Sequence, residues 1–344
     1  MVNTANSIQE LKSIGQSVWL DNLYRELITS GELQRLIGLG VTGLTSNPTI
    51  FEKAISGSAD YDQSILKRSR EGCNADKTFE ELAIEDIRAA ADLLMPIFDR
   101  TEGADGFASL EVNPHLAHDT KGTVSEARRL FAALDRPNVM IKVPATPEGI
   151  PAVKQLISDG INVNITLIFS LKVYEQVRDA YISGLETLAR SGGDVSKVSS
   201  VASFFVSRVD TVVDGLIDEY FGGRNVEMEQ LKGKAAVSNV RLAYRDFKGT
   251  FTGLRFAKMH AAGARPQRPL WASTSTKNPA YSDVLYVEAL IGPDTVNTMT
   301  DGTLNAFLDH GSALGTLEAD VNDAQTVMDL LDATGVSMDT VAEN

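Results

Sequence analysis

Short apolar runs rich in β-branched residues recur along the chain, separated by longer stretches in which apolar residues return every three to four positions. The short runs predict strands near residues 17–21, 41–45, 106–112, 139–143, 161–166, 199–204, 270–273 and 295–299. The longer stretches, 81–98 and 173–189 among them, predict helices. Strands alternating with helices are the pattern of a parallel sheet with crossover helices. Eight such units favour an α/β fold of the (β/α)8 TIM barrel type over an open doubly wound sheet, and no G-x-G-x-x-G turn follows the first strand. Two intervals, 51–105 and 205–269, exceed the roughly 10–15 residues of one crossover helix. They predict additional helices, the second with helical patterns at 210–220 and 232–247, on a single domain spanning residues 1–344.

Successive side chains of a barrel strand point alternately inward and toward the helices. In the fifth run Asn162, Asn164 and Thr166 share one face, and Ile161, Val163 and Ile165 share the other, so the polar set is expected inside. Ser109 and Glu111 share a face of the third run. The first run ends at Asp21, the second at Thr45 before Ser46-Asn47-Pro48, and the sixth near Ser203. Barrel chemistry is built at the C-terminal rim of the strands, where these positions converge.

The fourth run, Val139-Met140-Ile141-Lys142-Val143-Pro144, carries a lysine in an apolar strand. Such a lysine must find partners or lose its charge, and the neutral amine is the form that attacks a ketone. Two readings stand together: Lys142 as a nucleophile with Glu111 and Asp21 as proton-transfer groups, or Lys142 as a strand-end cation paired with Glu111. Asp21 also suits the N-cap of a following helix, and Asn47-Pro48 a turn before one.

Composition narrows the setting. Of the 344 residues, 43% are hydrophobic and 23% charged, ordinary globular proportions, and no run of about 18 apolar residues is present to span a membrane. The first residues lack the basic and apolar regions of a secretory signal, and the single Cys73 excludes an intramolecular disulfide framework, so a cytoplasmic location is expected. A net charge of -14 argues against a nucleic-acid-binding surface. An anionic substrate would have to be held by local cations, and the candidates are Arg208, after the sixth strand, and Lys277, after the seventh and two residues beyond Ser275. His115 and His118 lack the further ligands of a metal site, His260 and His310 are isolated, and Cys73 has no activating base nearby in sequence. No metal site is expected, and nothing in the sequence specifies an oligomeric state.

Three segments, Thr45-Ser46-Asn47-Pro48-Thr49, Ile141-Lys142-Val143-Pro144-Ala145-Thr146 and Asn164-Ile165-Thr166-Leu167-Ile168-Phe169-Ser170, resemble the signature segments of the transaldolase family, and the resemblance runs in order from Trp19 to Asn278. It implies an enzyme that moves a dihydroxyacetone unit from a ketose phosphate (sedoheptulose 7-phosphate or fructose 6-phosphate) to an aldose phosphate (glyceraldehyde 3-phosphate or erythrose 4-phosphate). That is a step of the non-oxidative pentose phosphate pathway, and it uses no metal or organic cofactor. By the same resemblance Lys142 forms the Schiff base, Asp21 is the acid/base group of carbon-carbon cleavage, and Glu111 and Thr166 act through a water. Asn47, Asn164 and Ser203 would hydrogen-bond the dihydroxyacetone unit, while Arg208 and Lys277 would bind phosphate, with Ser275 in the same substrate-binding set. Asn162 has no counterpart in this scheme. Family members with Ser-Pro-Phe-Val-Gly-Arg at the sixth strand differ from Ser203-Phe204-Phe205-Val206-Ser207-Arg208, and an arginine is common where Lys277 stands, so Lys277 offers a point charge and not a bidentate grip. Two alternatives are a related fructose 6-phosphate aldolase, which resemblance pairs with Gln at Glu111 and Tyr at Phe205, and a non-catalytic sugar-phosphate-binding barrel.

Overall fold

The structure, a computed structural model, describes residues 5–343. Strands β1 (Gln16–Leu20), β2 (Val41–Thr45), β3 (Ala108–Glu111), β4 (Val139–Pro144), β5 (Val163–Ile168), β6 (Ser200–Phe205), β7 (Arg268–Ala272) and β8 (Thr295–Met299) pair in parallel in chain order and close into a barrel, β8 against β1. Every predicted run supplies one strand. The differences lie at the ends. β5 starts two residues later than expected because Asn162 gives its side chain to neighbouring backbone: Nδ2 donates to the Pro137 and Val139 carbonyls at 2.9 and 3.1 Å, and Oδ1 accepts from Ser199 N–H at 2.9 Å. Asn162 thus ties β4 to β6 at the barrel's lower end. β7 stops at Ala272 because Ser273 turns into the left-handed region, with φ 58°.

Alternation divides the barrel as the sequence pattern requires. Val139, Ile141, Val143, Val163 and Ile165 join the core shared with the helices. Met140, Val201, Leu270, Val296 and Trp19, with Phe107, form a separate apolar cluster inside the ring. Trp19 is fully buried there, and its indole N–H is satisfied by Asp105 Oδ1 at 2.8 Å, which also removes the cost of an unpaired donor. Gly43 of β2 faces this ring, and a Cβ at that position would stand 2.6 Å from Trp19 Cε2 and Nε1. The cluster closes the lower half of the barrel and leaves the polar groups to the rim.

Helices occupy both long intervals. Pro48–Gly57 and Ala75–Arg100 lie within or beside 51–105, and Ser207–Phe221, Ala235–Phe251 and Leu254–Ala261 within 205–269. Among the described residues, no helix is long and apolar enough to cross a membrane.

The tight fit of Trp19 generates a stability prediction. Gly43→Ala forces the indole or the β2 backbone to move, and the expected cost is on the order of 1–3 kcal/mol. Denaturant unfolding of the variant checks it: an unchanged midpoint would contradict the packing described.

Candidate active site

Strand register sets the first layer of the site. Glu111 is opposite Lys142, and Lys142 is opposite Asn164, so three inward side chains from β3, β4 and β5 lie side by side. Lys142 Nζ stands 3.0 Å from Glu111 Oε2, with side-chain exposures of only 9% and 14%. It also donates to the Ser46 carbonyl at 3.2 Å, available because β2 has ended at Thr45. Lys142 is thus paired with Glu111, as one sequence reading expected, but from within β4 and facing the interior, not from a strand end. A pair this sheltered loses much of its hydration, which the mutual attraction and the extra acceptor offset.

Beside Lys142 the amide of Asn164 is fully buried and already engaged, Nδ2 donating to Ser109 Oγ at 3.2 Å and Oδ1 accepting from Ser203 Oγ at 2.7 Å. The hydroxyl of Thr166, next inward on β5, is buried and has no protein partner.

Across the mouth, Asp21 follows β1. Its Oδ1 accepts from Thr45 Oγ1 at 2.8 Å, and Thr45 Oγ1 lies 2.9 Å from Thr298 Oγ1. Since a hydroxyl has one hydrogen and Thr45 gives it to the carboxylate, Thr298 is the donor to Thr45. The N-cap reading of Asp21 does not hold: the next helix, Arg25–Thr29, has Tyr24 at its N-cap and no side-chain cap. Asn47 is a cap, its Oδ1 accepting from Ile50 N–H at 3.0 Å at the start of Pro48–Gly57, with Pro48 in the first turn.

These groups surround a cavity of about 530 Å³ at the C-terminal end of the barrel, a size suited to a small metabolite. Asp21, Asn47, Glu111, Lys142, Thr166, Ser203, Arg208, Ser275 and Lys277 all line it; of the candidates singled out by resemblance only Asn164 does not. Asn164 sits behind the wall and orients Ser203. A larger cavity of about 770 Å³ shares the Asn47, Pro48 and Glu111 wall, but Glu52, Asp76, Glu80 and Glu126 around it disfavour an anionic occupant.

Several wall residues were not among the sequence candidates. Lys53 adds a third cation from the Pro48–Gly57 helix. The three-to-four-residue spacing of Thr49, Ile50 and Lys53 on a helix starting at Asn47-Pro48 was the available signal. Thr298 follows from the alternation of β8, two residues beyond inward Val296. Leu167 had no signal. Alternation sends it outward, yet the β5–β6 register shifts between Ile165 and Ile168, and Leu167 adopts φ 61° and lines the mouth, 40% exposed. A bulky aliphatic residue in the left-handed region stores strain, which clusters at sites of this kind.

The cations project from the rim. Arg208, in the first turn of Ser207–Phe221, is exposed, and its guanidinium carbon lies 5.2 Å from the centre of the Phe205 ring. Lys277 is exposed on the segment after β7, where Ser275 Oγ lies 3.0 Å from Thr300 Oγ1 and 2.8 Å from Thr303 Oγ1. Behind them, Asp210 is buried, Oδ1 accepting from Ala236 N–H at 2.7 Å and Oδ2 from Tyr286 Oη at 2.8 Å. Burial first, then the nearby Asp214 charge, holds its carboxyl up at about 6 against an ordinary 3.8, although both hydrogen bonds oppose this. Asp214 is also raised, chiefly by burial.

His118 pairs with Glu148 at 3.2 Å on the surface, and His115 caps no metal set; no group of three or more His, Cys, Asp or Glu able to hold a metal occurs among the described residues.

A profile of the transaldolase/fructose-6-phosphate aldolase family matches residues 18–344. The chain is 48% identical over 332 residues to a transaldolase of Trichodesmium erythraeum (strain IMS101), covering 95% of this chain and 87% of that one. It is 46% identical over 342 residues to a transaldolase of Saccharopolyspora erythraea, covering 99% and 92%, and 48% identical over 338 residues to one from Thiobacillus denitrificans (strain ATCC 25259 / T1), covering 98% and 93%.

The buried Asp210 makes a prediction about pH. Its folded-state carboxyl keeps its proton to higher pH than the unfolded one, so its contribution to stability is full below about pH 4 and is lost as the pH rises through about 6. Asp210→Asn cannot titrate there. Chemical denaturation from pH 4 to 7.5 should show the wild type falling relative to the variant by on the order of 2–3 kcal/mol. A constant difference between the two would contradict the assignment.

Proposed function

Because this chain belongs to the transaldolase/fructose-6-phosphate aldolase family and has transaldolase function, we propose that it transfers a dihydroxyacetone unit between sugar phosphates through a Schiff base on Lys142. The carrying observation is the inward lysine, 3.0 Å from Glu111 Oε2 and in the wall of one cavity with Asp21. Ketose phosphates of the non-oxidative pentose phosphate pathway are the donors and aldose phosphates the acceptors.

Glu111 takes the proton that Lys142 must lose before its nitrogen can attack the ketone carbon, C2 of the donor. The attack gives a carbinolamine. Loss of its hydroxyl as water, protonated from Glu111 through a water held with the otherwise unpartnered Thr166 hydroxyl, leaves the iminium. Asp21, aligned by Thr45, removes the proton of the C4 hydroxyl; the C3–C4 bond breaks, its electron pair flows into the iminium, and the aldose phosphate departs. The enamine stays on Lys142, adds through the same carbon to the acceptor aldehyde while Asp21 returns its proton, and hydrolysis frees the new ketose. The iminium is the electron sink, so the chemistry calls on no metal or organic cofactor.

Asn47 and Ser203 supply hydrogen bonds to the retained unit, Asn164 chiefly by orienting Ser203, and Ser275 lies beside the phosphate end. Arg208 and Lys277 hold the phosphate, their exposure at the rim matching a group that enters last. We further take the chain as one barrel domain carrying helical additions at 51–105 and 205–269, acting in the cytoplasm, where phosphorylated sugars occur.

Borohydride reduction with fructose 6-phosphate, followed by peptide mapping, should modify Lys142 and leave Lys142→Ala unmodified; an adduct on any other residue sinks the proposal. Asp21→Asn should still be trapped while release of the aldose phosphate slows at least ~10²-fold. Glu111→Gln should slow adduct formation itself by roughly 10²- to 10⁴-fold, visible as a delayed trapping time course.

A further inference from the structure

Lys277 stands on the partition between two cavities. One is the active-site cavity; the other, about 180 Å³, is walled by Asp210, Asp214, Tyr281 and Tyr286. Asp210 and Asp214 are four residues apart on the Ser207–Phe221 helix, whose first turn carries Arg208. Tyr281 and Tyr286 belong to the opposite element, following Lys277 after β7. Each phenol donates across the gap, Tyr281 to Asp214 Oδ2 at 2.7 Å and Tyr286 to Asp210 Oδ2 at 2.8 Å. The second oxygen of each carboxyl accepts a backbone N–H, Gly233 for Asp214 at 3.0 Å and Ala236 for Asp210 at 2.7 Å. The Tyr281 ring lies flush on Gly233, where a Cβ would stand 2.8 Å from Cζ, so the phenol's approach is fixed from that side too.

Burying Asp210 and half-burying Asp214 one helical turn away is costly unless their hydrogen bonds are needed. Carboxyl oxygens accept directional bonds from phenol O–H groups, and these two bonds join the elements that carry the two rim cations. The Lys277 segment is also held at its start, where Ser275 meets Thr300 and Thr303, and internally, where Thr276 Oγ1 donates to the Ser282 carbonyl at 2.7 Å. Its far end has Tyr281.

Resting on the reading of Arg208 and Lys277 as the phosphate grip, we infer that Tyr281 and Tyr286, acting through Asp214 and Asp210, are positioning residues that lock the Lys277 segment to the Arg208 helix and so set the enzyme's discrimination for phosphorylated sugars. Neither tyrosine lines the active-site cavity. Loosening this tie changes the spacing of the two cations but leaves the Lys142, Glu111 and Asp21 geometry at the barrel strands alone.

Tyr281→Phe deletes only the phenol oxygen, and Asp214→Ala removes its acceptor as an independent second variant. Steady-state kinetics with fructose 6-phosphate, competitive inhibition by inorganic phosphate, and borohydride trapping with unphosphorylated dihydroxyacetone are compared with Arg208→Ala and Lys277→Ala. For both tie variants the expected result is a three- to tenfold rise, on the order of one lost hydrogen bond, in KM and in the phosphate inhibition constant. kcat should stay within about twofold and dihydroxyacetone trapping at the wild-type rate, with the double variant no worse than either single. Equal losses with dihydroxyacetone and fructose 6-phosphate, or a fall in kcat alone, would reduce the pair to general scaffolding and overturn the inference. If Arg208→Ala and Lys277→Ala weaken phosphate inhibition while Tyr281→Phe and Asp214→Ala do not, the inference fails and the grip stands. If the two cation variants leave phosphate inhibition unchanged, both fail.

Discussion

An ammonium group inside a closed ring of strands is the constraint from which the site is built. Water cannot solvate Lys142 freely there, so the protein must supply the acceptors, and it does so with Glu111 on the adjoining strand and the carbonyl of Ser46. Each acceptor imposes its own condition. Glu111 meets the amine because β3 and β4 are in register at that position, and Ser46 can turn its carbonyl inward because β2 has just ended. Loss of one partner would leave a charge both sheltered and uncompensated, a far larger penalty than loss of a surface ion pair.

Much of this was readable from alternation alone. The opposition of Asn162, Asn164 and Thr166 to Ile161, Val163 and Ile165 gave the facing of β5, and the ends of the other runs gave the rim. Facing is not depth, however. Asn162 serves backbone at the barrel's lower end, Asn164 is enclosed behind Ser203, and only Thr166 reaches the cavity. A period of two assigns all three to one side and cannot rank them along the barrel axis. Leu167 shows the other limit: a bulge is a mismatch of count between two strands, so no single strand's sequence announces it. The ambiguity over Asp21 had a different source, since an aspartate before a helix has the same local pattern whether or not it caps; Thr45, 24 residues away in sequence, decides where its carboxylate points.

The chain's strongly acidic total conceals a rim with the opposite local character, where Arg208, Lys277 and Lys53 face the cavity. The helices that interrupt the barrel repeat bear directly on this. Lys53 comes from one added stretch, and the Ser207–Phe221 helix begins the other, its buried Asp210 and half-buried Asp214 meeting the tyrosines that follow Lys277. Strands thus hold the Lys142, Glu111 and Asn164 layer, and the added helices and rim segments hold the cations.

The apolar stopper of Trp19, Phe107, Met140 and Leu270 sets the depth of the cavity. It puts an apolar floor under the cavity that Lys142 lines, with Arg208 and Lys277 at the mouth. On the Schiff-base reading proposed above, that floor would make donor and acceptor take turns at Lys142, the order of a ping-pong cycle.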